Sequence, residues 1–392
     1  MTVDLFNDGI YWNTPMSTSD TAFQELARIF ATRNNRVLEI EILPPALGPL
    51  LQDECSVGIT KKYLIQSFVT ARRIFFEKSR SKFECRTPRT IPQNENERVT
   101  HGSSDTILED LLVSTEIILL FDCEHLTACN WRRGRLDALK GHHDFSSDDP
   151  GPLIQALEAE LTLMTTYLCS PLHRHTKSPT LWQHRLWVLS RLLEIREARA
   201  RRLHFVNPSE ETNQHQESSV DLLKSELAIV HRAGELHPRN YYAFNYMRQV
   251  HNILSDATEG SREGPSSLAE STIDLMLHWC LGHPSDISGW MFMLYLLRAV
   301  PKRNLHASTV NKVVRYALDV GWEGESLWTF VDQSVRLLGL EEMVSNALQR
   351  IPGTSYTTIS TVQDESMRNT ALPMRPWKYW LTMARKYWDG YN

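Results

Sequence analysis

A run of basic side chains, His173, Arg174, His175 and Lys177, leads into an aromatic anchor at Trp182. Cations this close together could rim an anionic ligand if the histidines are partly protonated. Farther along, Tyr241 and Tyr242 stand three and two residues before Phe244. His278, Cys280 and His283 have metal-ligand chemistry, but offsets of two and five residues do not share one helical face, and His283-Pro284 reads as a turn. His142, His143 and Asp144 lie in a Ser/Asp/Gly stretch that reads as a solvated loop. There is no G-x-S-x-G, no glycine-rich phosphate loop and no H-E-x-x-H. A free-standing active site is not visible, so the elements that carry these residues become the informative feature.

Those elements repeat. KSPTLWQHRLWVL around Trp182, HLTACNWRRGRL around Cys129, HPRNYYAFNYMRQV around Phe244 and HPSDISGWMFMLYLL around Trp290 share one order. An apolar helical run is followed by a short polar stretch, an anchor residue and a second apolar run. The anchors are 53, 62 and 46 residues apart. This order describes a helical hairpin, and a single hairpin cannot bury its apolar face, so several must stack. The expected fold is all-α, a right-handed α-solenoid of helical hairpins. Trp182, Leu186, Leu189 and Leu193 follow the helical period, which puts the anchor on the buried face of the second helix. Arg185, one turn on, is placed to reach a carboxylate or carbonyl of a neighbouring hairpin.

Composition narrows the function. The chain has 392 residues, 42% of them hydrophobic, which is ample for a large core. A net charge of -5 and the absence of basic runs interleaved with aromatics argue against a nucleic-acid surface. The six cysteines, Cys55, Cys85, Cys123, Cys129, Cys169 and Cys280, have no C-x-x-C spacing and read as reduced thiols. MTVDLFNDGIYWN has neither a basic start nor an apolar core, and no apolar stretch reaches the ~20 residues of a membrane span, so a cytoplasmic location is expected.

Further apolar stripes run through Leu64, Phe68, Ala71 and Phe75, through Leu108, Leu111, Thr115 and Ile118, and through Leu153, Leu157, Leu161, Met164 and Leu168. Polar segments around residues 86–105, 141–151, 207–219 and 256–267 read as loops between helices. Leu38, Ile40 and Ile42 form the one strand-like alternation, ahead of Pro44 and Pro45. Trp377, Trp380, Ala384 and Trp388 fall on one helical face, which suits either a helix capping the last hairpin or a stripe for a partner. The expected organisation is a leader and first helices over 1–105, repeats over 106–350, and a loop with an aromatic capping helix over 351–392.

On these motifs the chain resembles the α-subunit repeat of protein prenyltransferases, the family of farnesyl- and geranylgeranyltransferases. The likeness runs from about residue 108 to 300, with Lys177-Ser178-Pro179 before Trp182-Gln183-His184-Arg185, and Ser285 to Trp290, as its clearest parts; EIEILPPALGPLLQDECSVGITKKYL adds to it. The repeat anchors are Cys129, Arg132, Trp182, His184, Arg185, Phe244 and Trp290. The resemblance implies a crescent of hairpins wrapping a β-subunit, most similar to the Rab geranylgeranyltransferase type. That partner would carry the zinc, the isoprenoid diphosphate and most of the chemistry, while this chain holds no cofactor or metal of its own. It also implies a substrate protein with a C-terminal cysteine. In that family a Lys five residues before a repeat Trp lies near the diphosphate, joined by Tyr or His residues of the next repeat. Lys177 stands five before Trp182, and Tyr241 and Tyr242 precede Phe244, so these three are the implied catalytic residues.

The pattern departs from the family at Cys129 and Phe244 in place of Trp, at Met247 and Met293 where Arg is usual, and at Pro179 where Tyr is usual. The resemblance therefore implies the α-type subunit of a heterodimeric prenyltransferase transferring geranylgeranyl to a trafficking protein, inactive when isolated. A non-catalytic helical-repeat adaptor is the alternative. A tetratricopeptide-like protein would show regular spacing near 34 residues, which these anchors lack.

Overall fold

The computed structural model describes residues 18–84, 102–141, 151–172, 174–206, 218–257, 265–349 and 376–390. Most of the chain is helical, and it divides into two compact units, Met1–Arg202 and Leu203–Asn392.

The first unit opens with α1 (Thr18–Thr32), then β1 (Glu39–Leu43), β2 (Leu50–Asp53) and β3 (Ser56–Thr60), then α2 (Lys61–Glu84). The isolated strand expected at Leu38 to Ile42 is in fact part of a three-stranded sheet, in which β1 pairs parallel with β3 and β2 pairs antiparallel with it. Next come α3 (Gly102–Phe121), α4 (Leu126–Gly141), α5 (Gly151–Cys169) and α6 (Pro179–Val206). The sheet is seated on α5, where the Leu38 and Ile40 amides donate to the Thr166 and Ser170 hydroxyls at 3.0 and 2.9 Å. Leu136, Leu153, Leu157, Val188 and Leu192 bring α4, α5 and α6 into one core.

The second unit comprises α7 (Ser219–Leu236), α8 (Tyr241–Ala257), α9 (Pro265–Gly282), α10 (Ile287–Ala299), α11 (Arg303–Val320), α12 (Glu325–Leu338), α13 (Glu341–Gln349) and α14 (Pro376–Asp389). It is layered: α7, α9 and α11 pack in one row, and α8, α10 and α12 in the other. Trp279 of α9 fits between helices because Gly234 and Gly289 lack side chains; a Cβ on either would fall 2.8 or 2.4 Å from the indole. α11 and α12 end on Gly321 and Gly339, both in the left-handed region at φ +66, where glycine is unstrained. α14 packs on α12 and α13, burying Trp380 and Ala384, and its Trp380 and Trp388 indoles donate to Asp332 and to the Leu318 carbonyl.

The helices extend into several segments read as loops: residues 102–105 open α3, Asp256 and Ala257 close α8, and residues 265–267 begin α9. Residues 86–101, 142–150, 207–217 and 258–264 lie outside the described residues, as do Cys85, His142, His143, Asp144 and His173.

Candidate functional site

Among the described residues five hairpins are built alike: α3/α4, α5/α6, α7/α8, α9/α10 and α11/α12. In each, the anchor is the fourth residue of the second helix: Cys129, Trp182, Phe244, Trp290 and, in a repeat that the sequence motifs do not reveal, Trp328. All five are buried. In the first four the residue preceding the helix caps it. His125, Ser178, Asn240 and Asp286 accept from the amides of Ala128, Leu181, Ala243 and Gly289 at 3.2, 3.1, 3.2 and 3.2 Å. These caps satisfy amides that a helix leaves without an internal partner. α12 starts instead after Gly324, with no side-chain cap.

The tryptophan anchors add a second constant. Trp182, Trp290 and Trp328 donate their indole N–H to the carbonyl six residues earlier, of Thr176, Pro284 and Trp322, at 2.9, 3.0 and 2.8 Å. The bond ties the lead-in turn to the second helix. Cys129 cannot make it, and the corresponding Cys123 carbonyl accepts instead from the Ser178 hydroxyl at 3.1 Å.

Arg132 and Arg185, each three residues past an anchor, close their hairpins. Arg132 Nη1 donates to Leu112 O and Thr115 Oγ1, and Arg185 Nη1 to Leu161 O and Thr165 Oγ1. These bonds of Arg185 go to α5, the first helix of its own hairpin, rather than to a neighbouring one. Arg132 does bridge hairpins, forking onto Glu160 of α5 at 2.7 and 2.6 Å. His184 completes this centre: its Nδ1 accepts from Arg133 Nε at 3.1 Å, so the ring proton is on Nε2, which donates to Glu160 at 2.8 Å. Burial alone would raise the Glu160 carboxyl, but the Arg132 charge and the hydrogen bonds from His184 and Arg132 outweigh it and hold it well below the usual range. Glu116 lies 3.5 Å from Arg33 and 3.8 Å from Arg132, and there burial prevails and pushes its pKa up. In the second unit Tyr246 donates to Glu226 at 2.6 Å. The sequence shows both carboxylates only as a glutamate followed by leucine inside a helical stripe, Glu160-Leu161 and Glu226-Leu227, a step that Glu235-Leu236 repeats.

Lys177 is half-buried in a short 3-10 turn, His175 to Lys177, just ahead of the Ser178 cap. The positive rim expected from the neighbouring histidines is not formed by His175. That ring is buried, contacts the Leu119 carbonyl through Nε2 at 3.0 Å, and has its pKa lowered by burial, which favours the neutral form. Arg174 is exposed beside it. Tyr241 and Tyr242 open α8 and are 58% and 49% exposed. The turn before them is fixed by Arg239, which adopts φ 61 and donates its amide to Asp286 at 2.7 Å. Lys177 thus lies one residue before the cap of its hairpin, Ser178, whereas Tyr241 and Tyr242 follow theirs, Asn240, as the first two residues of α8. His278 is exposed, Cys280 fully buried and His283 half-buried, so their side chains do not converge. Burial pushes the Cys123 and Cys129 thiols up to about 11 and about 12, and raises Cys280 as well, which leaves them poor nucleophiles.

Comparison with known proteins matches this architecture to two descriptions. The family model for the ECM9 middle domain matches residues 199–318, which takes in α7 to α10 and most of α11. The chain is also similar to protein prenyltransferase alpha subunit repeat-containing protein 1 of Danio rerio, 28% identical over 131 residues, which is 33% of this chain and 28% of that protein. The likeness therefore spans well under half of either chain. No helix among the described residues is long and apolar enough to cross a membrane.

Proposed function

We propose that this chain is the α-type subunit of a heterodimeric protein prenyltransferase, scaffolding a β-subunit that attaches geranylgeranyl to a C-terminal cysteine of a trafficking protein. The observation that carries this reading is the shared hairpin geometry, in which cap and anchor recur in register, with a closing arginine in the first two hairpins, and which puts Lys177 just before one cap and the Tyr241–Tyr242 pair just after the next. Similarity to a protein named for prenyltransferase α-subunit repeats supports it. In this reading the partner, of the Rab geranylgeranyltransferase type, holds the zinc and the isoprenoid diphosphate, and the zinc supplies an activated cysteine thiolate. As the thioether bond forms, negative charge builds on the departing diphosphate. The Lys177 ammonium is a point-charge partner for that phosphate, and the Tyr241 and Tyr242 hydroxyls are donors, so both would stabilise the transition state.

A second reading, a non-catalytic adaptor that keeps the hairpins and binds another protein, is favoured by Met247 and Met293 at the closing-arginine positions and by Phe244 and Cys129, which lack the indole bond. The test is to pair the chain with its β-subunit and measure transfer with Lys177→Ala and Tyr241→Phe. Slower transfer by an intact complex supports the enzyme; an unchanged rate, or no activity with wild type, supports the adaptor.

A further inference from the structure

Arg248, midway along α8, is held in an unusual way. It is half-buried, and its guanidinium carbon lies 5.7 Å from the ring centres of both Phe292 and Tyr295 on α10. Tyr295 is itself fixed, donating to Asn252 Oδ1 at 2.7 Å and accepting from His251 Nδ1 at 2.9 Å. The two rings orient the guanidinium, while the Tyr295 hydroxyl is taken up by Asn252 and His251 and receives none of its five N–H groups. Among the described residues no carbonyl or carboxylate takes a hydrogen bond from Arg248. Arg132 and Arg185, by contrast, are both engaged. Nor does a described carboxylate compensate the charge: burial lowers its pKa, opposed only by Tyr295. Tyr241, Asn245 and Asn252, which share this face of α8, are exposed.

We propose that Arg248 is the anchor for a carboxylate of a partner protein, received in a bidentate fork beside the stacked Phe292 and Tyr295 rings, whose centres are 5.8 Å apart. A pre-oriented planar fork matches a carboxylate in both shape and charge. A single cation laid against a stacked aromatic pair suits one negative charge on an apolar stem better than a multiply charged phosphate. The site is independent of Lys177 and does not require the prenyltransferase reading, since an adaptor could use it equally.

Acetate, chloride and inorganic phosphate at matched ionic strength of about 0.1 M, added to the full chain, test this by thermal unfolding. A ligand that binds only the folded state raises the midpoint, so acetate should raise it by about 2 °C over chloride in wild type. Arg248→Gln should abolish the difference and Arg248→Lys should reduce it. Should Arg248→Gln fail to fold, the comparison of wild type with Arg248→Lys decides. Equal acetate shifts in wild type and variants would overturn the proposal, as would no acetate shift in wild type. A response to phosphate but not acetate that depends on Arg248 would also overturn it, and would assign the site to a phosphate group.

Discussion

The Nε2 proton of His184 is donated to Glu160 at 2.8 Å inside a site where both side chains are almost fully buried. Glu160 also receives the Arg132 fork, so three helices, α4, α5 and α6, converge on one carboxylate. Breaking a buried charge pair by removing one partner is far costlier than the pair's net worth, because the remaining charge is left without compensation. Arg132→Met should therefore destabilise the first unit by about 3–5 kcal/mol, measured by urea unfolding. A loss below about 1 kcal/mol, typical of exposed pairs, would show that Glu160 does not tie these hairpins together.

Acid should expose the same centre. Glu160 is depressed in the folded state, so its contribution is present above the ordinary glutamate value of 4.5 and is lost as pH falls below it. Glu116, raised by burial, acts with the opposite sign and favours the folded state as it gains its proton. Glu160→Gln should flatten the fall of stability below pH 4.5, whereas Glu116→Gln should act above pH 4.5, removing a gain in stability that builds as pH drops toward that value. Parallel acid unfolding curves for the two variants would contradict these assignments.

The indole bond can be isolated from indole packing. Trp182→Phe and Trp328→Phe keep an aromatic ring but leave the Thr176 and Trp322 carbonyls without that donor, at a cost of about 1–3 kcal/mol each. Phe244 already lives without such an N–H, so Phe244→Leu should lose packing only. Unfolding midpoints that do not move in Trp328→Phe would remove the fifth hairpin from the repeat.

Much of this architecture can be read directly from residue types. Trp182 and Trp290 announce their hairpins because a large aromatic at a fixed step after a polar turn marks the start of a buried helix face, and Arg132 and Arg185 mark the same face one turn on. Trp328 is harder to see because its lead-in, GWEGES, has no His-Pro and its helix has no side-chain cap. The sheet is half visible: β1 alternates, but β2 is largely exposed and β3 contains Gly58, and what makes them strands is their mutual pairing and the seat on α5, which local pattern cannot express. His175 fails as a surface cation because nothing in HRHTK says which ring turns inward; the Leu119 carbonyl that receives it is 56 residues away in sequence. Arg248 gives no signal because its meaning depends on two rings of another helix.

Glycine contacts give a paired prediction. Gly289→Ala would drive a Cβ to 2.4 Å from Trp279 and should cost about 1–3 kcal/mol by overpacking. Gly134→Ala, in the interior of α4 with nothing within 4 Å of the added carbon, should stabilise by about 0.5–1 kcal/mol. Thermal midpoints that move together would mean that the Trp279 slot tolerates a side chain.

The central claim is tested most directly by co-expressing the chain with β-subunits of Rab geranylgeranyl-, type I geranylgeranyl- and farnesyltransferase and weighing the products by light scattering. The account predicts a one-to-one complex with the Rab geranylgeranyltransferase subunit alone. No complex with any of the three would contradict it and leave the hairpin stack as the scaffold of an adaptor.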